Sequence, residues 1–316
     1  MRRSRPGRSR SGPLGSLDPV GSLGPVGPSG YSRRAAGPGR PPRRRPRLTR
    51  RGRLLLFLAM LAGTGCLVLL PRLTGGDVPP EQPRRLLVPE GWRAPQVYAA
   101  VDRALGLAPG TTRAAVPRAG LALPPEAKGN PEGYLFPATY PVTSKATPEG
   151  LLRYMVDTAN ERLAGAGIAG AARARGMTPY QVATLASLIE AEADAPADRP
   201  RVARVIHNRL ARSMPLQMDS TLNYALDRHT LDVSLADTRL DSPFNTYRRQ
   251  GLPPTPIGNP GLAALRAAVS PAAGDWLFFV TVRPGDTRFS TTYEEHQRHV
   301  EAFNAERRAS ERGTGD

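Results

Sequence analysis

Residues 54–70 (LLLFLAMLAGTGCLVLL) form a run of 17 residues without a charge, bounded by Arg53 on one side and by Pro71 and Arg72 on the other. That length sits at the short end of what crosses a bilayer as a helix. It divides the chain into parts of different chemistry. Before it, residues 1–53 hold 15 arginines and a single acid, Asp18, a balance of +14 that leaves only +3 of the total +17 for everything after. Arginine concentrated on one flank orients the amino end to the cytoplasm, because basic residues near a span are retained inside. The flank is too long for the n-region of a cleaved signal peptide, and no Ala-x-Ala site follows. Cys66 is followed by further apolar residues, 67–70, whereas a lipidated cysteine closes its apolar run.

The basic tail consists of Arg, Pro, Gly and Ser with almost nothing apolar to bury, so it is expected to be disordered. Two readings of it stand: contact with an anionic lipid or nucleic acid, or a solvated tail that fixes topology. Since the part beyond residue 72 is close to neutral, no nucleic acid is expected as a partner. Cys66 is the only cysteine, which excludes an intramolecular disulfide and any thiol nucleophile beyond the span.

A Pro/Gly linker follows, residues 72–85. The sequence Leu86-Leu-Val-Pro-Glu90-Gly-Trp92 reads as a short strand and turn. Val97, Ala100, Val101 and Leu105 then recur at helical spacing. From Glu132 to Tyr140 (EGYLFPATY) the chain reads as a turn and an aromatic strand, in which Tyr134, Phe136 and Tyr140 serve as core or as the floor of a cleft. Two helices open with the same device, a Thr N-cap and a Pro at the first helical position: Thr147-Pro148 and Thr178-Pro179. Near the end, residues 276–282 and 288–292 read as paired strands, and a last helix begins near Thr292.

The helix from Thr178 carries the chemistry. Val182, Leu185, Leu188 and Ile189 form its apolar stripe, and Glu190 follows at the margin of that face. An acid in apolar surroundings is pushed toward keeping its proton, which a general acid requires; the plainer reading is a solvated helix glutamate. Glu192 lies about 200° around the helix from Glu190, so the two cannot share a site. Beyond a second amphipathic helix come Gln217, Asp219 and Thr221, then Asn245 and Tyr247, then the rigid wall Gly251-Leu-Pro-Pro254. Asp219 reads as a helix cap or as a site residue. Asn245 and Tyr247 read as loop residues or as an amide and a phenol that grip a ligand. His296 and His299 have the spacing of a metal pair but no third ligand nearby, and no metal is expected.

These clusters, in this order (Pro-Glu-Gly-Trp at 89–92, Glu-Gly-Tyr-Leu-Phe-Pro at 132–137, Leu-Ala-Ser-Leu-Ile-Glu at 185–190, Leu-Gln-x-Asp-x-Thr at 216–221), resemble the YceG-like endolytic murein transglycosylases. The resemblance implies an α+β chain with a single N-terminal transmembrane helix. Its expected parts are a disordered tail (1–53), the span (54–71), the linker (72–85), a small abridged LysM-like subdomain (86–130), a mixed helix and antiparallel-sheet catalytic domain (131–310) and a short tail (311–316). It implies cleavage of the bond between N-acetylmuramic acid and N-acetylglucosamine in nascent glycan, at the outer face of the cell membrane and beside the wall-synthesis machinery. Glu190 is then expected as the catalytic acid, with Gln217, Asp219, Thr221, Asn245 and Tyr247 binding substrate and no cofactor. A non-catalytic peptidoglycan-binding scaffold and a membrane-tethered nucleic-acid binder are the rival classes. They differ in whether the acid, or the arginine tail, is indispensable.

Overall fold

The structure is a computed structural model, and it describes residues 84–165, 167–193, 195–228 and 233–313. All of these belong to the unit Val78–Asp316; the basic tail and the expected span lie outside the described residues, within the unit Met1–Asp77. No helix of the described residues is long and apolar enough to cross a membrane.

The fold is α+β, mostly helical with two small antiparallel sheets. In chain order the elements are β1 (Arg84–Leu87), α1 (Ala94–Leu105), α2 (Thr111–Ala115), β2 (Thr139–Val142), α3 (Pro148–Ala164), α4 (Ile168–Ala174), α5 (Pro179–Glu192), α6 (Arg199–Ala211), α7 (Asp219–Ala225), α8 (Leu262–Val269), β3 (Phe278–Arg283), β4 (Asp286–Ser290) and α9 (Tyr293–Gly313). β1 pairs with β2, Arg84 opposite Val142 and Leu87 opposite Thr139. β3 and β4 form a hairpin with a register shift between Thr281 and Arg283.

α5 is the centre of the described fold. Its start is fixed twice over: the Thr178 hydroxyl accepts from the Gln181 amide at 3.2 Å, and the Gln181 side chain accepts from the Thr178 amide at 2.9 Å. This reciprocal cap satisfies two otherwise orphaned backbone donors. The expected stripe of Val182, Leu185, Leu188 and Ile189 is fully buried, but so are Ala183, Ala186 and Ser187. Small residues on the remaining faces let neighbouring elements close in, so the helix is covered nearly all round rather than on one side. α3 opens as its sequence predicts, Thr147 accepting from Gly150 at 3.1 Å.

Three details depart from the sequence expectations. The aromatic strand begins only at Thr139; Tyr134, Leu135 and Phe136 sit in a turn, and Tyr134 stacks on Tyr180 of α5 with ring centroids 6.3 Å apart. Met218, not Asp219, occupies the cap position of α7. Packing also shows no break at residue 130: β1 pairs beyond it, and Leu86, Val97 and Val101 share one apolar cluster with Leu152, Leu188 and Ile206.

Candidate active site

The last turn of α5 sends two carboxylates to two different places. Glu190 is taken up by a cation and a backbone donor. Its Oε1 accepts from Arg199 Nη2 at 2.5 Å and its Oε2 from the Gly261 amide at 3.0 Å. The same Arg199 nitrogen also donates to Glu90 Oε2 at 3.2 Å. The apolar surroundings expected for Glu190 are therefore absent. Both its oxygens are committed, and its side chain is 7% exposed.

Packing explains why this corner is so tight. Gly258 brings the loop before α8 against the turn that holds Glu90; a Cβ there would lie 2.8 Å from the Gly91 carbonyl oxygen. At Gly261 a Cβ would fall 1.8 Å from Glu90 Oε1, so any larger residue would make the half-exposed Glu90 side chain swing away.

Glu192 faces the polar cluster. Its Oε1 accepts from the Ser220 hydroxyl at 2.6 Å, with the Ser220 amide at 3.4 Å. Beside it, Tyr247 donates its phenol to Asp219 Oδ1 at 2.5 Å. From α6, Arg209 reaches in and donates to Gln217 Oε1 at 3.1 Å and to the Leu216 carbonyl at 2.7 Å. Desolvation, with Asp219 adding to it, pushes the Glu192 carboxyl above the ordinary glutamate range, against the pull of Ser220 and Arg209. Burial raises the Tyr247 phenol as well, and its bond to Asp219 holds the proton there. Gln217 is exposed and keeps a left-handed backbone, φ +52°, rare for a non-glycine residue and frequent where a side chain must be aimed.

Of the expected binding residues, then, Asp219 and Tyr247 lie beside Glu192 rather than Glu190, and Gln217 is joined to that side through Arg209. Asp219 spends its side chain on Tyr247 instead of capping α7. Thr221 and Asn245 do not join this cluster. Thr221 is fully buried, donating to the Met218 carbonyl and lying 3.0 Å from the Thr246 hydroxyl. Asn245 is fully buried too: Nδ2 donates to the carbonyls of Thr238 and Leu240 at 3.0 and 2.7 Å, and Oδ1 accepts from the Tyr247 amide at 3.0 Å. It is the staple that presents Tyr247. An amide this enclosed has no donor left for a sugar.

Sequence reasoning missed Ser220, Arg199, Arg209 and a buried node built from Glu132 and Asn259. Asn259 accepts from the Leu135 amide and donates to Glu132 and to the Trp92 carbonyl, while Glu132 receives the Ala94 amide at the start of α1. Burial pushes the Glu132 carboxyl up to about 7. The first half of α5 and the 251–254 wall border a groove of about 870 Å³ with Arg175, Tyr180 and His207, and neither Glu190 nor Glu192 lines it. His296, one of the histidines with metal-like spacing, stacks on Phe278 with centroids 5.1 Å apart.

A half-buried carboxyl at a helix end, ringed by a serine, a tyrosine–aspartate pair and an arginine-held glutamine, is an arrangement suited to acid–base chemistry, set on an α+β scaffold. The chain belongs to the YceG-like family, whose model matches residues 63–302. It is similar to the endolytic murein transglycosylase of Bacillus subtilis (strain 168), 38% identical over 173 residues, 54% of this chain and 48% of that protein. It is also similar to the endolytic murein transglycosylase of Streptococcus pneumoniae serotype 2, 35% identical over 175 residues, 54% of this chain and 31% of that protein. The chain thus spans from a third to half of the length of these curated relatives. A crystal structure of a yceG-like protein from Listeria monocytogenes superposes with a TM-score of 0.60 at 30% identity, covering 68% of this chain and 75% of that one.

Proposed function

We propose that the chain is a membrane-anchored endolytic murein lytic transglycosylase, cleaving between N-acetylmuramic acid and N-acetylglucosamine, and that Glu192 is its acid. The observation that carries this reading is the setting of Glu192: its carboxyl, bonded to Ser220 and pushed toward holding a proton, faces Asp219, Tyr247 and Arg209, the last of which holds Gln217, while Glu190 is spent on Arg199. The names of the relatives supply the substrate class.

In this mechanism Glu192 gives its proton to the glycosidic oxygen as the bond to the muramic anomeric carbon breaks. The muramic N-acetyl group assists at that carbon. The carboxylate then takes the proton of the C6 hydroxyl, whose oxygen closes the 1,6-anhydro ring, and no water is consumed. Gln217 has amide hydrogens to offer an acetamido carbonyl, and the Tyr247 oxygen, its own proton held by Asp219, accepts from a sugar. Glu90 brings the 86–130 segment to the same corner through Arg199, so that segment works as part of the site's frame.

The test is mass spectrometry of purified peptidoglycan digested by the full chain in detergent. Products ending in 1,6-anhydromuramic acid, lighter by one water than reducing ends, are expected; reducing ends would mean a hydrolase. Glu192→Gln should abolish cleavage, since the amide neither gives nor takes the proton. Activity in Glu192→Gln together with its loss in well-folded Glu190→Gln would return the acid to Glu190. Intact glycan in every digest would favour the scaffold reading.

A further inference from the structure

Resting on the reading of Glu192 as the acid, we propose that Ser220 is a positioning residue, occupying one oxygen of this carboxyl so that proton transfer runs through the other. Ser220 stands at a place the family wording leaves open, the second free position of Leu-Gln-x-Asp-x-Thr at 216–221. Its hydroxyl and amide both point at Oε1, at 2.6 and 3.4 Å. Oε2 accepts no hydrogen bond among the described residues, and it is not one of the buried atoms left without a partner. The two oxygens are thereby made unequal: one is fixed in the protein, the other is left open.

The chemistry follows from that inequality. A carboxyl whose Oε1 already receives a donor carries its proton on Oε2. That proton passes to the glycosidic oxygen as the carbon–oxygen bond breaks and its electron pair goes to the leaving oxygen. Oε2 then recovers a proton from the C6 hydroxyl, so the acid ends the cycle as it began. Ser220 also sets the pH at which the acid works. The charged and titratable groups facing Glu192 are Asp219 from α7, Arg209 from α6 and Tyr247 from the 245–247 loop; Asp219 opposes the ionised form and Arg209 favours it. The Ser220 hydroxyl sides with Arg209, because a donor at 2.6 Å stabilises the carboxylate.

The experiment uses the full chain in detergent, with its glutamates labelled with ¹³C at the side-chain carboxyl. The Glu192 signal is assigned by its absence in Glu192→Gln and followed as a function of pH. Ser220→Val removes the hydroxyl while keeping the bulk of threonine, and Ser220→Thr keeps the hydroxyl. Hydrogen bonds to charged groups are strong enough that the valine variant should raise the Glu192 midpoint by about one pH unit. Threonine should restore the wild-type value. On peptidoglycan, the alkaline limb of the kcat profile should move by the same amount. Should valine unfold the chain, Ser220→Ala takes its place. An unmoved midpoint in Ser220→Val, or in Ser220→Ala where that replaces it, overturns the proposal. This titration does not depend on cleavage, so a chain that proves inactive leaves the role of Ser220 still decided by it.

Discussion

Arg199 and Glu190 meet at 2.5 Å with side chains only 13% and 7% exposed. A pair so enclosed is a structural lock more than a chemical group, since removing one partner strands the other charge away from water. It joins α6 to the last turn of α5, two residues before Glu192, and so fixes the direction in which Glu192 leaves the helix.

Arg199→Ala should therefore destabilise the fold by about 3–5 kcal/mol, the cost of leaving a buried charge uncompensated. Urea unfolding of Arg199→Ala, Glu190→Gln and the double variant measures this. The double variant should be more stable than the sum of the two single losses implies, because it leaves no stranded carboxylate. Additive losses would mean that the pair is not coupled.

Asn245 and Gln217 should separate cleanly. Asn245→Ala removes three buried hydrogen bonds and should lower stability by about 2–4 kcal/mol, taking activity down with it as Tyr247 loses its support. Gln217→Ala alters an exposed side chain and should leave the thermal midpoint within about 2 °C while raising KM. Thermal scans and initial rates on both variants check the contrast.

Glu132 supplies a pH dependence of known sign. Its carboxyl is pushed from 4.5 up to about 7 by burial, so between those values the folded protein keeps a proton that the unfolded chain has lost. Stability is consequently highest below pH 4.5 as far as this group is concerned, declines as pH rises through the window, and levels off beyond about 7. Glu132→Gln should remove that slope. The difference in melting temperature between wild type and variant, followed from pH 4.5 to 8, isolates it from other groups.

For the membrane, arginine on one side of residues 54–70 predicts a cytoplasmic amino end. A reporter active only outside the cytoplasm, fused after Asp316, should be active in cells; a silent fusion would reverse the topology.

Much of the frame could be read from the residues. Thr147 and Thr178 announce their helices because a cap and a proline act locally, and the stripe of α5 follows from spacing alone. The choice between Glu190 and Glu192 did not follow in the same way. Periodicity placed the two on different sides of the helix but could not say which side carried Arg199, nine residues beyond Glu190, or Ser220, 28 residues beyond Glu192. Asn245 failed for a related reason. A polar residue in a Pro/Gly-rich loop reads as exposed, and only the folded loop reveals that its amide closes on the carbonyls of Thr238 and Leu240. Ser220 carried no signal at all, since a hydroxyl becomes informative only through what it touches.

The Asn259 amide has a consequence for when the site can exist. Its three side-chain partners, Leu135, Glu132 and Trp92, lie 124, 127 and 167 positions earlier in the chain. Loops of that size close late, because the entropy of bringing their ends together must be met before any contact rewards it. A growing polypeptide can wind α1, α3 and α5 from their own sequences. Until residue 259 has been synthesised, however, the Trp92 carbonyl and the Leu135 amide lack the side chain that ties them together. This node of the candidate site is thus among the last parts of the described fold to be assembled, and a chain interrupted before that point would have its helices without the amide that joins Trp92, Glu132 and Leu135.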